Sequence, residues 1–116
     1  MRYFNQSKNK ISMNAVLINP NGKSVKDVCI YAWYENGEAW PLGGYDGKEM
    51  TEYAALFAAK TAAVSISLEY SGEFVVVCKA GGRVLAIAGD CFMGLAMRNA
   101  VSRDPSLNDV ARMFDM

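Results

Sequence analysis

The sequence predicts an α+β domain: a central antiparallel sheet of about five strands, a long helix on one face and shorter terminal helices on the other. Three observations predict it. Short β-branched and aromatic runs are separated by turn residues, and one Ala-rich stretch over residues 48–68 has helical spacing and length. The runs Phe74-Val75-Val76-Val77-Cys78 and Val84-Leu85-Ala86-Ile87-Ala88 are apolar throughout. Successive strand side chains point to opposite faces, so both faces of those strands need cover.

Along the chain, residues 1–10 are polar apart from Tyr3 and Phe4 and are expected to form a flexible basic leader. Residues 11–18 are apolar and partly β-branched, and the strand they predict ends at the turn signal Asn19-Pro20-Asn21-Gly22. A second strand is expected over 28–34. Asn36-Gly37 supplies the positive φ of a tight hairpin, and 39–42 return as its partner. Pro41 cannot donate to a ladder, which makes that return strand short or places it on an edge. Gly43-Gly44-Tyr45-Asp46-Gly47 is expected to break the chain before the long helix, with Glu49 and Glu52 in its first turns, where the dipole favours acids. Strands over 74–79 and 83–88 follow, joined at Ala80-Gly81-Gly82. A short helix from residue 90 or 91 to 101 comes next and Pro105 interrupts it. A last helical turn then places Leu107, Val110, Ala111 and Phe114 on one face.

Size and composition bound the function. At 116 residues the chain is a single domain, 1–116, and its 52% apolar and 21% charged residues exclude a disordered polymer. The absence of His removes His-based general bases, His-dependent nucleophiles and His-ligated metals. Cys29, Cys78 and Cys91 lack the spacing of zinc knuckles or redox pairs. With no leader peptide and no long apolar run, the sequence reads as a cytoplasmic protein without a membrane span. The zero net charge is uneven: residues 1–26 carry five bases and no acid, and the other 90 carry seven bases and twelve acids. No basic stretch interleaved with aromatics points to nucleic acid.

The long helix carries the main functional signal. Glu49, Glu52, Lys60 and Ser67 are expected to form a narrow polar stripe. Met50, Tyr53, Ala54, Phe57, Val64 and Leu68 define an apolar side that Ala55, Ala59, Ala62, Ala63 and Ile66 widen. That arc is broader than one sheet face covers, so a second surface, expected to be another subunit, must cover the rest.

Other candidates read more simply as structure. The glycine stretch at 43–47 lacks the Lys-Ser/Thr ending of a phosphate loop. Cys29, Cys78 and Cys91 are expected to be small buried hydrophobes. Glu35 and Glu38 flank one turn without a facing carboxylate pair, which leaves a glycosidase unsupported. No catalytic residue, metal site or cofactor is expected. Five aromatics gather around the first hairpin, too many for one small core, which makes Trp33, Trp40 and Tyr45 candidates for partner contact.

An aromatic hairpin, the helix run Thr51-Glu52-Tyr53-Ala54-Ala55-Leu56-Phe57-Ala58-Ala59, a second hairpin at 73–88 and the segment Met93-Gly94-Leu95-Ala96-Met97-Arg98 follow in that order. Together they resemble the roadblock / dynein light-chain family, over residues 28–103. That family usually begins with an amphipathic helix, whereas residues 11–26 here read as strand and turn. The resemblance implies the three-layer arrangement of roadblock, longin and profilin-like domains. It also implies a non-catalytic scaffold that pairs with itself or with a paralogous roadblock protein and serves Ras-like small GTPases or motor and regulatory assemblies. In the family the long helix and an adjoining strand edge pair across the dimer. By resemblance that surface comprises Met50, Tyr53, Ala54, Phe57, Ala58, Thr61, Phe74, Val75 and Val76. The alternative is a profilin-like or sensor-like domain using the hairpin at 28–45 as a small-molecule pocket.

Overall fold

The computed structural model describes residues 13–92 and 94–113; expectations for the leader at 1–10, for residues 11 and 12 of the first strand, for Met93 and for Phe114 lie outside them. The element order is β1 (Asn14–Leu17), β2 (Val25–Tyr34), β3 (Ala39–Met50), α1 (Glu52–Glu69), β4 (Phe74–Ala80), β5 (Arg83–Gly89) and α2 (Leu95–Arg103). A 3-10 turn (Pro105–Leu107) and α3 (Asn108–Met113) complete it. One five-stranded sheet runs β1-β5-β4-β2-β3 with every neighbouring pair antiparallel. The fold is α+β.

Two buried clusters use alternate residues of β4 and therefore lie on opposite faces of the sheet. Phe74, Val76 and Cys78 pack with Ala55, Ala59 and Ala63 of α1. Val75 and Val77 pack with Ala96, Met97 and Ala100 of α2 and with Leu107 and Val110. Small Ala side chains bring α1 close to the sheet, where it packs mainly on β5, β1 and β4 and scarcely reaches β2 and β3. Among the described residues no helix is long and apolar enough to cross a membrane.

Two boundaries differ from expectation. The glycine stretch does not break the chain, because β3 runs through it to Met50 and pairs Ile30 with Gly43, Cys29 with Gly44 and Val25 with Met50. Cross-strand pairing overrides the weak strand preference of glycine, and the irregularities appear as bulges instead. One bulge is at Asp27 (φ 55°), whose carboxylate accepts from the Gly47 N–H at 2.8 Å. Pro41 does lie on an edge strand, yet that strand is 12 residues long rather than short.

Since β3 takes Glu49 and Met50, α1 starts four residues later than expected. Thr51 is its N-cap, and its hydroxyl oxygen accepts from the Ala54 N–H at 3.0 Å. Glu52 leaves the expected polar stripe as well. It is only 5% exposed and turns inward onto the loop between β1 and β2.

The β4–β5 turn forms as expected, with Gly81 and Gly82 both at positive φ between paired Ala80 and Arg83. Helix α2 begins at Leu95, after Asp90 and Cys91. Its cap residue Gly94 has no side chain, and the Glu73 carboxylate accepts from the Leu95 N–H at 2.6 Å in its place. A side chain at residue 94 would collide with that carboxylate.

Candidate functional site

Helix α1 is apolar on two opposite sides. Ala55, Ala59 and Ala63 form its buried side. At 100° per residue, Tyr53, Phe57, Val64 and Leu68 fall within about 60° of one another on the far side. Tyr53 is 73% exposed, Phe57 69% and Leu68 67%. Ala54 and Thr61 are exposed beside this stripe, and Val64 is half-buried within it. Scattered exposed apolar residues are ordinary; Tyr53, Phe57 and Leu68 aligned on one side of a helix, with exposed Lys60 at the border of the stripe, mark a contact surface.

The structure separates the residues expected to pair across a dimer. Tyr53, Ala54, Phe57 and Thr61 are together on the outside of α1. Met50 is the last residue of β3, and with Ala58 it packs against the inner cluster, half-buried. Phe74, Val75 and Val76 cannot form a pairing edge. Strand β4 lies between β5 and β2, and all three residues are at most 2% exposed. The sheet edge beside α1 is β1. Between the two lies a groove of about 570 Å³, bordered by Met13, Asn14 and Ala15 on one side and Tyr53, Leu56, Phe57 and Lys60 on the other.

The aromatic hairpin divides in the same way. Trp33 is buried beneath α2, Trp40 is 56% exposed on β3, and Tyr45 is half-buried against the α1-side cluster. Trp33 is therefore core, which leaves Trp40 as the accessible member of the expected trio. Of the cysteines only Cys78 is buried; Cys29 and Cys91 are exposed. Cys29 points to the α2 face beyond the cover of the helices, and Cys91 is in the connection before α2.

One polar cluster had no counterpart in the sequence reading. The Tyr31 hydroxyl donates to Asp104 Oδ2 at 2.8 Å, Lys79 Nζ stands 2.9 Å from the same oxygen, and Ser106 donates its N–H and hydroxyl to Oδ1. Partial burial alone would raise the Asp104 carboxyl. The hydrogen bonds from Ser106, Lys79 and Tyr31 outweigh it and bring the pKa down to about 2. The Tyr31 hydroxyl is driven well above its ordinary value by burial and by the adjacent carboxylate. These groups spend their bonding capacity on one another and tie the end of α2 to the sheet. Their 73-residue separation hides them from any local pattern.

No family model, curated protein or solved structure matches this chain.

Proposed function

We propose that this chain is a non-catalytic, cytoplasmic dimerisation and docking module, with the outer stripe of α1 as its self-pairing surface. The observation that carries the reading is the exposure of Tyr53, Phe57 and Leu68 on a helix already buried on its opposite side. A second copy suits this stripe because the stripe is self-complementary. Around a two-fold axis between Lys60 and Thr61, an antiparallel copy sets Tyr53 against Leu68 and Phe57 against Val64, large side chains against smaller ones, and Lys60 against Thr61 at the axis. The helix dipoles then oppose one another favourably.

A stable interface buries roughly 800 Å² per partner, more than one helix stripe supplies. The groove toward β1 and the outer edge of β1, unpaired among the described residues, are adjacent and extend the contact. That edge takes the role the roadblock resemblance gave to Phe74, Val75 and Val76. The sequence of elements from β2 to α2 supports the same resemblance, which adds a Ras-like small GTPase or a larger regulatory or motor assembly as the client of the dimer.

Sedimentation of the full chain at micromolar concentration tests the pairing. The wild-type protein is expected as a dimer, and Phe57→Glu as a monomer with an unchanged circular dichroism spectrum. A monomeric wild type, or a dimer untouched by Phe57→Glu, rejects the reading.

A further inference from the structure

A second feature stands apart from the α1 stripe and does not depend on it. Where α1 ends, its C-cap residue Tyr70 turns back toward the first hairpin. The Tyr70 ring meets the Tyr34 ring edge to face, with centroids 5.0 Å apart and planes at 83°. These two rings form adjoining walls of an open cleft of about 280 Å³, and Trp40 closes a third side. The indole is held in place, since Trp40 Nε1 donates to Glu38 Oε1 at 3.0 Å. The hairpin tip is braced by the Glu38 N–H donating to Asn36 Oδ1 at 3.0 Å.

Among the described residues, the lining of this cleft carries negative charge and no positive charge. Glu38 and Asn36 line it, and Glu35 is anchored beside it by the Glu73 N–H at 2.7 Å. The negative end of the α1 dipole opens at Tyr70, and no basic residue in the last turn of α1 offsets it. Burial and then the charges of Glu35 and Glu38 raise the Tyr70 hydroxyl above its ordinary pKa. Among the described residues, Arg103 donates to the Gly37 carbonyl at 3.2 Å and lines a neighbouring cavity that Glu38 and Trp40 also border. Gly72 adds a built-in constraint. A Cβ there would stand 2.6 Å from the Tyr70 hydroxyl and 3.0 Å from Glu35 Oε1, so the wall and the acid close in only over a residue without a side chain.

Aromatic faces are electron-rich, and rings meeting at right angles under carboxylates attract a cation more than a neutral apolar group of the same shape. From this geometry we infer that the Tyr34–Trp40–Tyr70 cleft is a binding site for a compact organic cation, a quaternary ammonium or guanidinium group. Its volume takes one such headgroup rather than a larger cofactor. The carrier is a free small molecule or a side chain of a bound protein.

Titration of the full chain, followed by tryptophan fluorescence at constant ionic strength, tests the site with three probes. These are choline, N-acetyl-arginine amide, and dimethylbutanol, the neutral tert-butyl isostere of choline. At least one cation is expected to saturate the site in the millimolar range, with the neutral isostere about tenfold weaker. Tighter choline binding assigns the site to a free quaternary ammonium, and tighter arginine binding assigns it to a protein side chain. Trp40→Leu and Glu38→Gln, both at exposed positions, are expected to weaken the cation about tenfold while leaving the fold intact, with binding of these variants read by amide NMR. Equal affinity for the neutral isostere, full affinity in Trp40→Leu, or no saturable response to either cation would overturn the assignment. Because these variants lie off the α1 stripe, their result is independent of the oligomeric state.

Discussion

The Glu52 carboxylate holds the backbone of Asn21 across 31 positions of sequence: Oε2 accepts from the Asn21 N–H at 2.9 Å, and Oε1 takes the Gly22 N–H at 3.0 Å. One acid in the first turn of α1 thus fixes the loop that leads from β1 into β2.

Replacing Glu52 with Ala leaves two loop N–H groups without their charged acceptor and opens a gap at a buried position. Hydrogen bonds to charged groups contribute about 1.5–3 kcal/mol, so Glu52→Ala is expected to destabilise the chain by about 2 kcal/mol in urea unfolding. Glu52→Gln keeps the shape and one acceptor and is expected to lose less. Equal stability of Glu52→Ala and wild type would refute the anchoring role.

Asp104 makes stability depend on acid. Its folded pKa, about 2, is below the ordinary carboxylate value, so its contribution is present above about pH 4 and is lost as pH falls through 2. The site is partly open to water, which reduces the effect to about 1 kcal/mol. Urea unfolding of Asp104→Asn between pH 2 and 6 is expected to show a shallower acid slope than wild type, and an identical slope would remove Asp104 as its source.

The three thiols are expected to separate by accessibility. Cys78 is fully buried and burial pushes its pKa up to about 12, with Cys29 adding a smaller effect in the same direction, whereas Cys29 and Cys91 are exposed. Maleimide labelling followed by mass spectrometry is expected to modify two cysteines in the native protein and the third only on unfolding. Rapid native labelling at Cys78 would mean that β4 opens.

Much of the fold was legible in the chain. The apolar runs of β4 and β5, the Gly81-Gly82 turn and the Ala-rich helix each carry a short-range pattern that local geometry reads directly. Where the expectation failed, the cause was partner choice. Gly43 and Gly44 look like a break until β2 pairs with them, and once β3 has run on to Met50 the helix has to start at Thr51. Phe74, Val75 and Val76 look like an open edge only while the strand order is unknown; β2 and β5 on either side of β4 close it.

The candidate surfaces divide along the same line. The excess of apolar residues on α1 was countable from spacing alone. Which side would face the sheet was not, since either apolar side satisfies helical periodicity; the small Ala side chains won because they let the helix pack closely. The cleft of Tyr34, Trp40 and Tyr70 joins a strand, an edge strand and a helix end, and no local pattern connects them.

By itself the sequence determined most of the element types, the two tight glycine turns and the surplus of apolar surface on α1, because these depend on neighbours within a few residues. Tertiary structure alone decided the strand order, the inward turn of Glu52, the Tyr31–Asp104–Lys79 cluster and the aromatic cleft. Each of these brings together groups distant in the chain, and only the packing of one element on another sets their separation.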